Sequence, residues 1–550
     1  MKRIFNTLAA TVLLLTGTVS CVGDLDQYPH TDTTSKDVYT SADNYQAVLS
    51  GIYAAMIQRI SSVSSETRSQ NYLRVLWMFQ DCSTDALDDV WLAGESLTDV
   101  NNLSWGAGDA WVSAMYYHIY NIVAMSNELI RNASDEQIAH FSETDRERIV
   151  TYRNEARFLR AWAYSHALDF YARMSFITEN DPVGSYIPTI YDRQQMFEYL
   201  TGELESFADD LPRTNYGHAN RGAAWALLAR LYLNGETYTG QSYYTECITA
   251  CRKVMEDGYS LESDYGKLFN ADNHLRTNEI IFALACDGTH TTTWDATTFI
   301  TCGSVLQNFA DYEAVYGTKD SGAWDCLRAR PELIDAFESG DQRALFISYD
   351  RQAYADRESY LSEGYYEKPG DTSYVYRDRD KDIAAHDDVT TGWRVCKWTN
   401  LTDDGQSASS CSDGGGANTD FPVFRLADVY LMLAEAVVRG GSGATRTEAL
   451  GFVNQVRTRA FGGSQTGNIA DGDLTLDFLC QERLREFYME CIRRTDLIRF
   501  GKYTSGYRWQ WKGGTKEGSD VDPKYAYLPI PETELSVNPE LRAANAELGY

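Results

Sequence analysis

Indoles interleaved with amides and carboxylates are the side chains of this sequence with the clearest chemical use. The segment DCSTDALDDVWLAGESLTDVNNLSWGAGDAW carries Asp88, Trp91, Asn101, Asn102 and Trp105 in turn-like sequence. An indole face lies flat against the apolar C–H side of a pyranose, while carboxylates and amides take its hydroxyls. The chemistry expected of such a cluster is capture of a polar, flat-faced ligand. The competing expectation for each Trp is core packing or contact with a protein partner. The chain of 550 residues has 37 Tyr and 12 Trp, so most of its aromatic surface carries a polar handle that suits a half-wet face.

Motifs for bond-making chemistry are absent from the sequence. It has no GxSxG elbow, no phosphate-cradling GxxxxGK, no HExxH and no strand-borne GxGxxG. The eight His are scattered and no CxxC pair occurs, so neither a metal centre nor a cofactor is expected. YRDRDKD places Asp378, Asp380 and Asp382 in alternation, but it lacks the Gly and terminal Glu of a calcium hand and reads as a solvated loop. In ERLREFYMECIRRTDLIRF, Glu482 with Arg485, Glu490 with Arg493 or Arg494, and Asp496 with Arg499 fall one helical turn apart and are expected to pair along helix faces. Glycosidases carry no local signature, so a glycoside hydrolase on a helical scaffold stands as the alternative from a different class.

The balance of 79 acidic against 49 basic residues, a formal charge of -30, excludes a nucleic-acid partner, whose phosphates need a basic footprint. It also disfavours a strongly acidic ligand. Residues 1–20 read as a secretory signal peptide: Lys2 and Arg3 open it, an apolar stretch from Leu8 to Val19 follows, and small residues precede Cys21. The apolar stretch is well short of the ~20 residues of a membrane-spanning helix. Cys21 directly after Ser20 resembles a bacterial lipobox, with Thr18 in place of the usual Leu, which implies lipidation at Cys21 and anchoring to a membrane. Of the ten later cysteines, Cys247 and Cys251 sit one turn apart, and Cys480 and Cys491 fall in an apolar helical stripe. Cys286, Cys302, Cys326, Cys396 and Cys411 lie in loop-like sequence and are the candidates for disulfides.

The elements that must position these groups are helical. Tyr152, Ala156, Leu159, Ala163, Ala167 and Phe170 recur at steps of three and four, and the same period runs through Phe424 to Val438, Ala449 to Ala460, and Leu476 to Cys491. The short RGGSGATRT joins two of these runs into an antiparallel pair, and comparable pairs fall at 115–131 with 146–173 and at 193–210 with 220–234, with a further helix at 243–257. A mainly α fold follows, a tetratricopeptide-like superhelix of stacked helical pairs. Residues 21–270 and 421–550 form this scaffold. Between them, 271–420 reads as a loop-rich insertion, too aromatic for a linker because it holds Trp294, Trp324, Trp393 and Trp398.

Five segments in order resemble the SusD/RagB family of outer-membrane lipoproteins from Bacteroidetes. They are the entry segment with Leu25, Asp26, Pro29, Gly51 and Tyr53; Asn127 followed by EARFLRAWAY; RGAAWALLARLYL; the Arg425, Glu435, Ala436, Asn454, Arg457, Arg459 run; and the closing motifs from Glu482 to Pro539. Two departures stand out: Cys491 replaces the usual Gly, and Arg494 replaces a common aromatic. The resemblance implies a surface-exposed lipoprotein in the outer membrane that lids a SusC-like TonB-dependent barrel transporter and captures oligosaccharides without cleaving them. Some family members look like peptide-binding lids, so an oligopeptide is an alternative ligand. The family's ligand surface draws on the loops around Trp91 and on the insertion. That adds Trp294 and Trp324 to Asp88, Trp91, Asn101 and Trp105 as expected ligand-binding residues.

Overall fold

The computed structural model describes residues 35–59, 70–291, 294–305, 310, 312–318, 323–408 and 416–550. Cys21, expected to carry lipid, and Cys411 lie outside them. Helices Ala110–Asn132 and Glu143–Phe170 pack against each other, with Ala42–Ile57 laid against both. Arg193–Phe207 with Arg221–Thr239, and then Tyr244–Met255, continue the stack. Tyr244–Met255 in turn packs directly on Leu426–Val438, which pairs with Arg446–Ala460. The residues between these two helices therefore leave the superhelix and return to it at one point.

Local chemistry sets where these helices begin. Asp192 and Thr445 form capping boxes with Gln195 and Glu448, and Ser142, Asp109 and Asn220 accept from first-turn N–H groups. Small residues set how close they come. Ala223, Ala224, Ala226 and Ala229 of the Arg221–Thr239 helix are fully buried, and a Cβ on Gly235 would stand 2.5 Å from the Tyr243 ring. Among the described residues, no helix is long and apolar enough to cross a membrane.

Three boundaries differ from the sequence reading, the first being the 146–173 run, whose helix ends at Phe170 while Arg173 opens the strand Arg173–Phe176. Phe421–Arg425 is a strand rather than the start of a helix, paired antiparallel with Ile280–Leu284. Its aromatic and β-branched Phe-Pro-Val-Phe run fits a pleated surface, so Phe424 belongs to this ladder and not to the helical stripe. The Leu476–Phe487 helix stops before Cys491. Its backbone turns through left-handed positions at Met489 (φ 66°) and Cys491 (φ 60°) before helix Arg493–Arg499 begins. The Asp81 carboxylate secures this turn by accepting from the N–H of Met489 and of Cys491, both at 2.9 Å.

That break redirects the charges. Glu490 meets Lys397 at 2.6 Å and Arg425 at 2.7 Å, while Arg493 pairs with Asp85 at 2.6 Å and Arg494 with Asp169 at 2.8 Å. The expected contact of Glu490 with Arg493 or Arg494 is replaced because the intervening backbone is not helical. Glu482 with Arg485 and Asp496 with Arg499 do pair, each at 2.7 Å, but inside the protein. Glu482 also binds Arg343 and Arg457, and Glu486 binds Arg343, Arg425 and Arg459. A buried ionic lattice thus joins the C-terminal helices to the strand at Arg425 and to the chain around Arg343.

The insertion carries short ladders. Tyr349–Ala353, Tyr374–Asp378 and Tyr366–Glu367 form a three-stranded antiparallel sheet, and Leu327–Ala329 pairs with Leu87–Asp89 of the scaffold. Of the expected disulfide partners, Cys286, Cys326 and Cys396 carry free thiols. Burial accounts for this: Cys286 and Cys326 pack as small apolar groups in the main core.

Candidate functional site

A ladder of three residue pairs builds the site. Leu87 lies opposite Ala329, Asp88 opposite Arg328 and Asp89 opposite Leu327. The Val90 N–H extends the pairing by donating to the Cys326 carbonyl at 2.9 Å. Trp91 and Trp324 follow at the same end, and their indoles stack with centroids 6.3 Å apart and planes 28° from parallel. Trp294 adds a third ring 6.0 Å from Trp324 at 40°. Trp91 and Trp324 are half-buried, and Trp294 is 49% exposed. Phe299, fully buried, backs Trp324 at 6.1 Å.

The backbone around each indole is fixed. Asp89 Oδ1 accepts from the Trp91 N–H at 2.8 Å, which shapes the exit from the strand. Trp294 directly precedes Asp295, the N-cap position of helix Ala296–Gly303. The Trp324 N–H donates to the Cys302 carbonyl in the last turn of that helix at 3.1 Å. Trp294 and Trp324 therefore meet across one short helix, and Trp91 reaches them through the strand ladder.

The other three expected ligand residues face inward. The Asp88 carboxylate is fully buried, 2.9 Å from the Arg328 guanidinium, 3.5 Å from Arg330 and 3.0 Å from His386 Nδ1. Burial alone would raise its pKa, but the His386 hydrogen bond and the Arg330 and Arg328 charges outweigh it and hold the group down to about 2. Asn101 is 2% exposed, and its Oδ1 accepts from the Arg330 guanidinium at 2.6 Å. Trp105 is 1% exposed and donates its indole N–H to the Tyr527 carbonyl and the Tyr550 hydroxyl. The first residue cluster is thus split, with Trp91 on the surface row and Asp88, Asn101 and Trp105 in the framework behind it. The sequence signal for Phe299 was only its apolar type, and nothing local marked Arg74, whose guanidinium lies over the Phe299 ring at 3.7 Å.

Electrostatics beside the row could suggest a catalytic acid. Burial pushes the Asp89 carboxyl up to about 7, against the Trp91 N–H and the Arg74 charge. Perturbed carboxylates of this kind mark many active sites. Asp89 is 1% exposed, however, and one oxygen is occupied by the Trp91 backbone. A general acid must reach a glycosidic oxygen. Among the described residues, no group of His, Cys, Asp and Glu is arranged to hold a metal ion. Other concavities lie apart from the row. One is an open cleft of about 700 Å³ lined by Leu261, Asn454, Gln455, Thr458 and Arg459, and another is an interior cavity among His166, Asp169, Arg230, Arg483 and Arg499.

Comparison with known proteins places this architecture. The chain is 27% identical to the starch-binding protein SusD of Bacteroides thetaiotaomicron over 98% of its own length and 97% of that protein's. It is 23% identical to SusD-like protein P2 of Formosa agariphila, covering 97% and 98%. Surface glycan-binding protein A of Bacteroides thetaiotaomicron, solved in complex with laminarihexaose, shares the fold with a TM-score of 0.65 at 19% identity, over 90% of this chain and 97% of that one. A SusD superfamily structure from the same organism superposes with a TM-score of 0.66 at 18% identity, over 91% and 98%. The family model for SusD matches residues 278–550, which include the strand at Arg425, the ionic lattice around Glu486 and the closing motifs, and over these residues the chain is identified with the SusD family.

Proposed function

We propose that this protein captures an oligosaccharide on the Trp91, Trp324 and Trp294 row and passes it, uncleaved, to a SusC-like TonB-dependent barrel transporter. The observation that carries the proposal is the row itself. Three indoles are gathered from separate parts of the chain, with one half-exposed edge and rigid backing, on a surface where a pyranose can stack. A relative named for starch binding and a structural relative solved with laminarihexaose support a glycan ligand. The burial of Asp88 and Asp89, the carboxylates adjoining Trp91, supports binding without hydrolysis. Lipid on Cys21 would hold the protein to the outer membrane, facing outward, and Asp24 and Asp26 just after it supply an acidic start that resembles a surface-export signal.

The test is binding with product analysis on the chain lacking residues 1–21, against maltohexaose, laminarihexaose, xylogluco-oligosaccharides, acidic glycans and oligopeptides. Saturable binding of a neutral glycan with no new reducing ends is expected. Exclusive peptide binding, or release of shorter sugars, overturns the reading. For the partner, a tagged full-length copy extracted in mild detergent is expected to bring down a large barrel protein. Protease added to intact cells is expected to digest the chain, and full protection would place it on the inner side.

A further inference from the structure

The three segments that carry the tryptophans converge on one buried cation. Arg74, in helix Tyr72–Trp77, is 3% exposed. Its guanidinium binds the Glu95 carboxylate, at the end of the short Leu92–Glu95 helix that Trp91 opens. It also lies 3.3 Å from Asp295, the residue after Trp294. Its planar face covers the Phe299 ring at 3.7 Å, and Phe299 is the ring behind Trp324. Each indole is therefore one short step from the same guanidinium.

The surroundings make this contact specific. Gln70 Oε1 accepts from Arg74 at 2.9 Å, and the Trp111 ring lies 5.7 Å from the guanidinium carbon. Trp111 donates its indole N–H to the Glu95 carbonyl at 2.8 Å, holding that helix end from the other side. Arg59 gives Asp295 a second cation at 2.7 Å, so two arginines face the side chains of Glu95 and Asp295. Asp89 adds a further carboxyl within the reach of the Arg74 charge. A planar guanidinium can fork to two carboxylates and stack on an aromatic face at once, whereas an ammonium cannot do both in this geometry.

We infer that Arg74 is the positioning residue that assembles the three-indole row before ligand arrives, by clamping Glu95, Asp295 and Phe299 together. The inference rests on the row being the binding surface for the affinity it would confer, but its structural content stands independently. A preassembled row avoids the ordering cost that three separately mobile rings would add to binding. Arg74 touches no ligand in this scheme and acts only through the rings.

The experiment uses the chain lacking residues 1–21 with Arg74→Lys, Arg74→Met, Glu95→Gln and Trp324→Ala. The first readout needs no ligand. Coupling between the stacked Trp91 and Trp324 indoles gives a circular-dichroism band, defined as the difference between the parent and Trp324→Ala. Arg74→Lys and Arg74→Met are expected to lose most of that band while retaining the parent helical signal, and Glu95→Gln to lose part of it. The second readout is affinity for maltohexaose, laminarihexaose and xylogluco-oligosaccharides, expected to fall about tenfold or more in the Arg74 variants. An intact band in Arg74→Lys and in Glu95→Gln overturns the inference. If Trp324→Ala abolishes binding while Arg74→Met keeps both band and affinity, the inference fails and the binding surface stands. If Trp324→Ala leaves binding unchanged, the binding surface fails while the band still decides the role of Arg74. Should Arg74→Met fail to fold, Glu95→Gln decides, because Glu95 is partly exposed and its replacement keeps the side-chain volume.

Discussion

Trp91 stacks on Trp324 because Asp89 lies opposite Leu327 in an antiparallel ladder that brings both indoles out at the same end. The register of that ladder fixes which side chains share a face. A slip of one residue would turn the side chains of Leu87–Asp89 to the opposite face and carry Trp91, just beyond the strand, out of step with Trp324. Asp88, opposite Arg328 in the same ladder, locks the register through a buried ion pair, so its carboxylate is engaged inside the protein.

Truncating the tryptophans should separate these two roles. Trp324→Ala and Trp91→Ala are expected to abolish or greatly weaken glycan affinity with little change in unfolding midpoint, because both rings are half-exposed. Trp105→Ala should instead destabilise by about 3–5 kcal/mol, since it empties a fully buried site and removes the indole N–H that the Tyr527 carbonyl and the Tyr550 hydroxyl share. Affinity electrophoresis in glycan gels paired with urea unfolding checks this. Loss of stability in Trp324→Ala equal to that in Trp105→Ala would remove the distinction.

The C-terminal ionic lattice predicts a large penalty for a small change. Burial would raise the Glu486 carboxyl, but Arg459, Arg425 and Arg343 outweigh it and hold the group well below the usual carboxylate range. Glu486→Gln keeps the shape and removes the charge that three buried guanidiniums share. A loss of about 3–5 kcal/mol is expected, the scale for a buried charge cluster deprived of a partner. Guanidinium unfolding at neutral pH measures it, and a loss under about 1 kcal/mol would mean the remaining carboxylates suffice.

These cases explain what the sequence could and could not disclose. Helices such as Glu143–Phe170 were legible because a buried apolar stripe is a local pattern, and the pairing of Leu426–Val438 with Arg446–Ala460 followed from the short Gly- and Ser-containing turn between them. Trp91 and Trp105 look alike locally. What separates them is that Tyr527 and Tyr550, at the far end of the chain, close over Trp105 alone. The pairing of Glu490 was misread for a related reason. Helical spacing assumes a helix, and the left-handed turn at Met489 and Cys491 hands Glu490 to Lys397 and Arg425 instead. Arg74 was invisible because its three contacts come from separate parts of the chain.

Stability should depend on pH in two opposed windows. Burial would raise the Glu482 and Asp428 carboxyls, but arginines hold both down to about 2, Arg343 foremost for Glu482 and Arg483 for Asp428. Their contribution is present above the unfolded values of 4.5 and 3.8 and is lost as pH falls toward 2. Asp81 and Asp89 behave oppositely. Burial raises each from 3.8 to about 7, so the folded state keeps protons that the unfolded chain has released, and their contribution is lost as pH rises through that range. Asp89→Asn should therefore flatten the decline between about pH 4 and about pH 7 by close to one proton. Urea midpoints across that window check it, and a variant that runs parallel to the parent would show Asp89 ionised throughout.

Cys491 offers a sharper comparison, because it holds a left-handed backbone (φ 60°) where the resemblance leads one to expect Gly. A side chain there costs about 1–2 kcal/mol of backbone strain, while its burial at 9% exposure returns about 1 kcal/mol. Cys491→Gly should therefore change stability by no more than about 1 kcal/mol, since the relief of strain offsets the lost packing. Cys480 is the control. It is fully buried inside helix Leu476–Phe487, so Cys480→Gly loses packing and also incurs the glycine penalty of a helix interior, about 2 kcal/mol together. Urea unfolding of the two variants side by side decides the matter. Equal losses would mean that the Asp81 carboxylate, by holding the Met489 and Cys491 N–H groups, imposes this turn at no cost to the residue that occupies it.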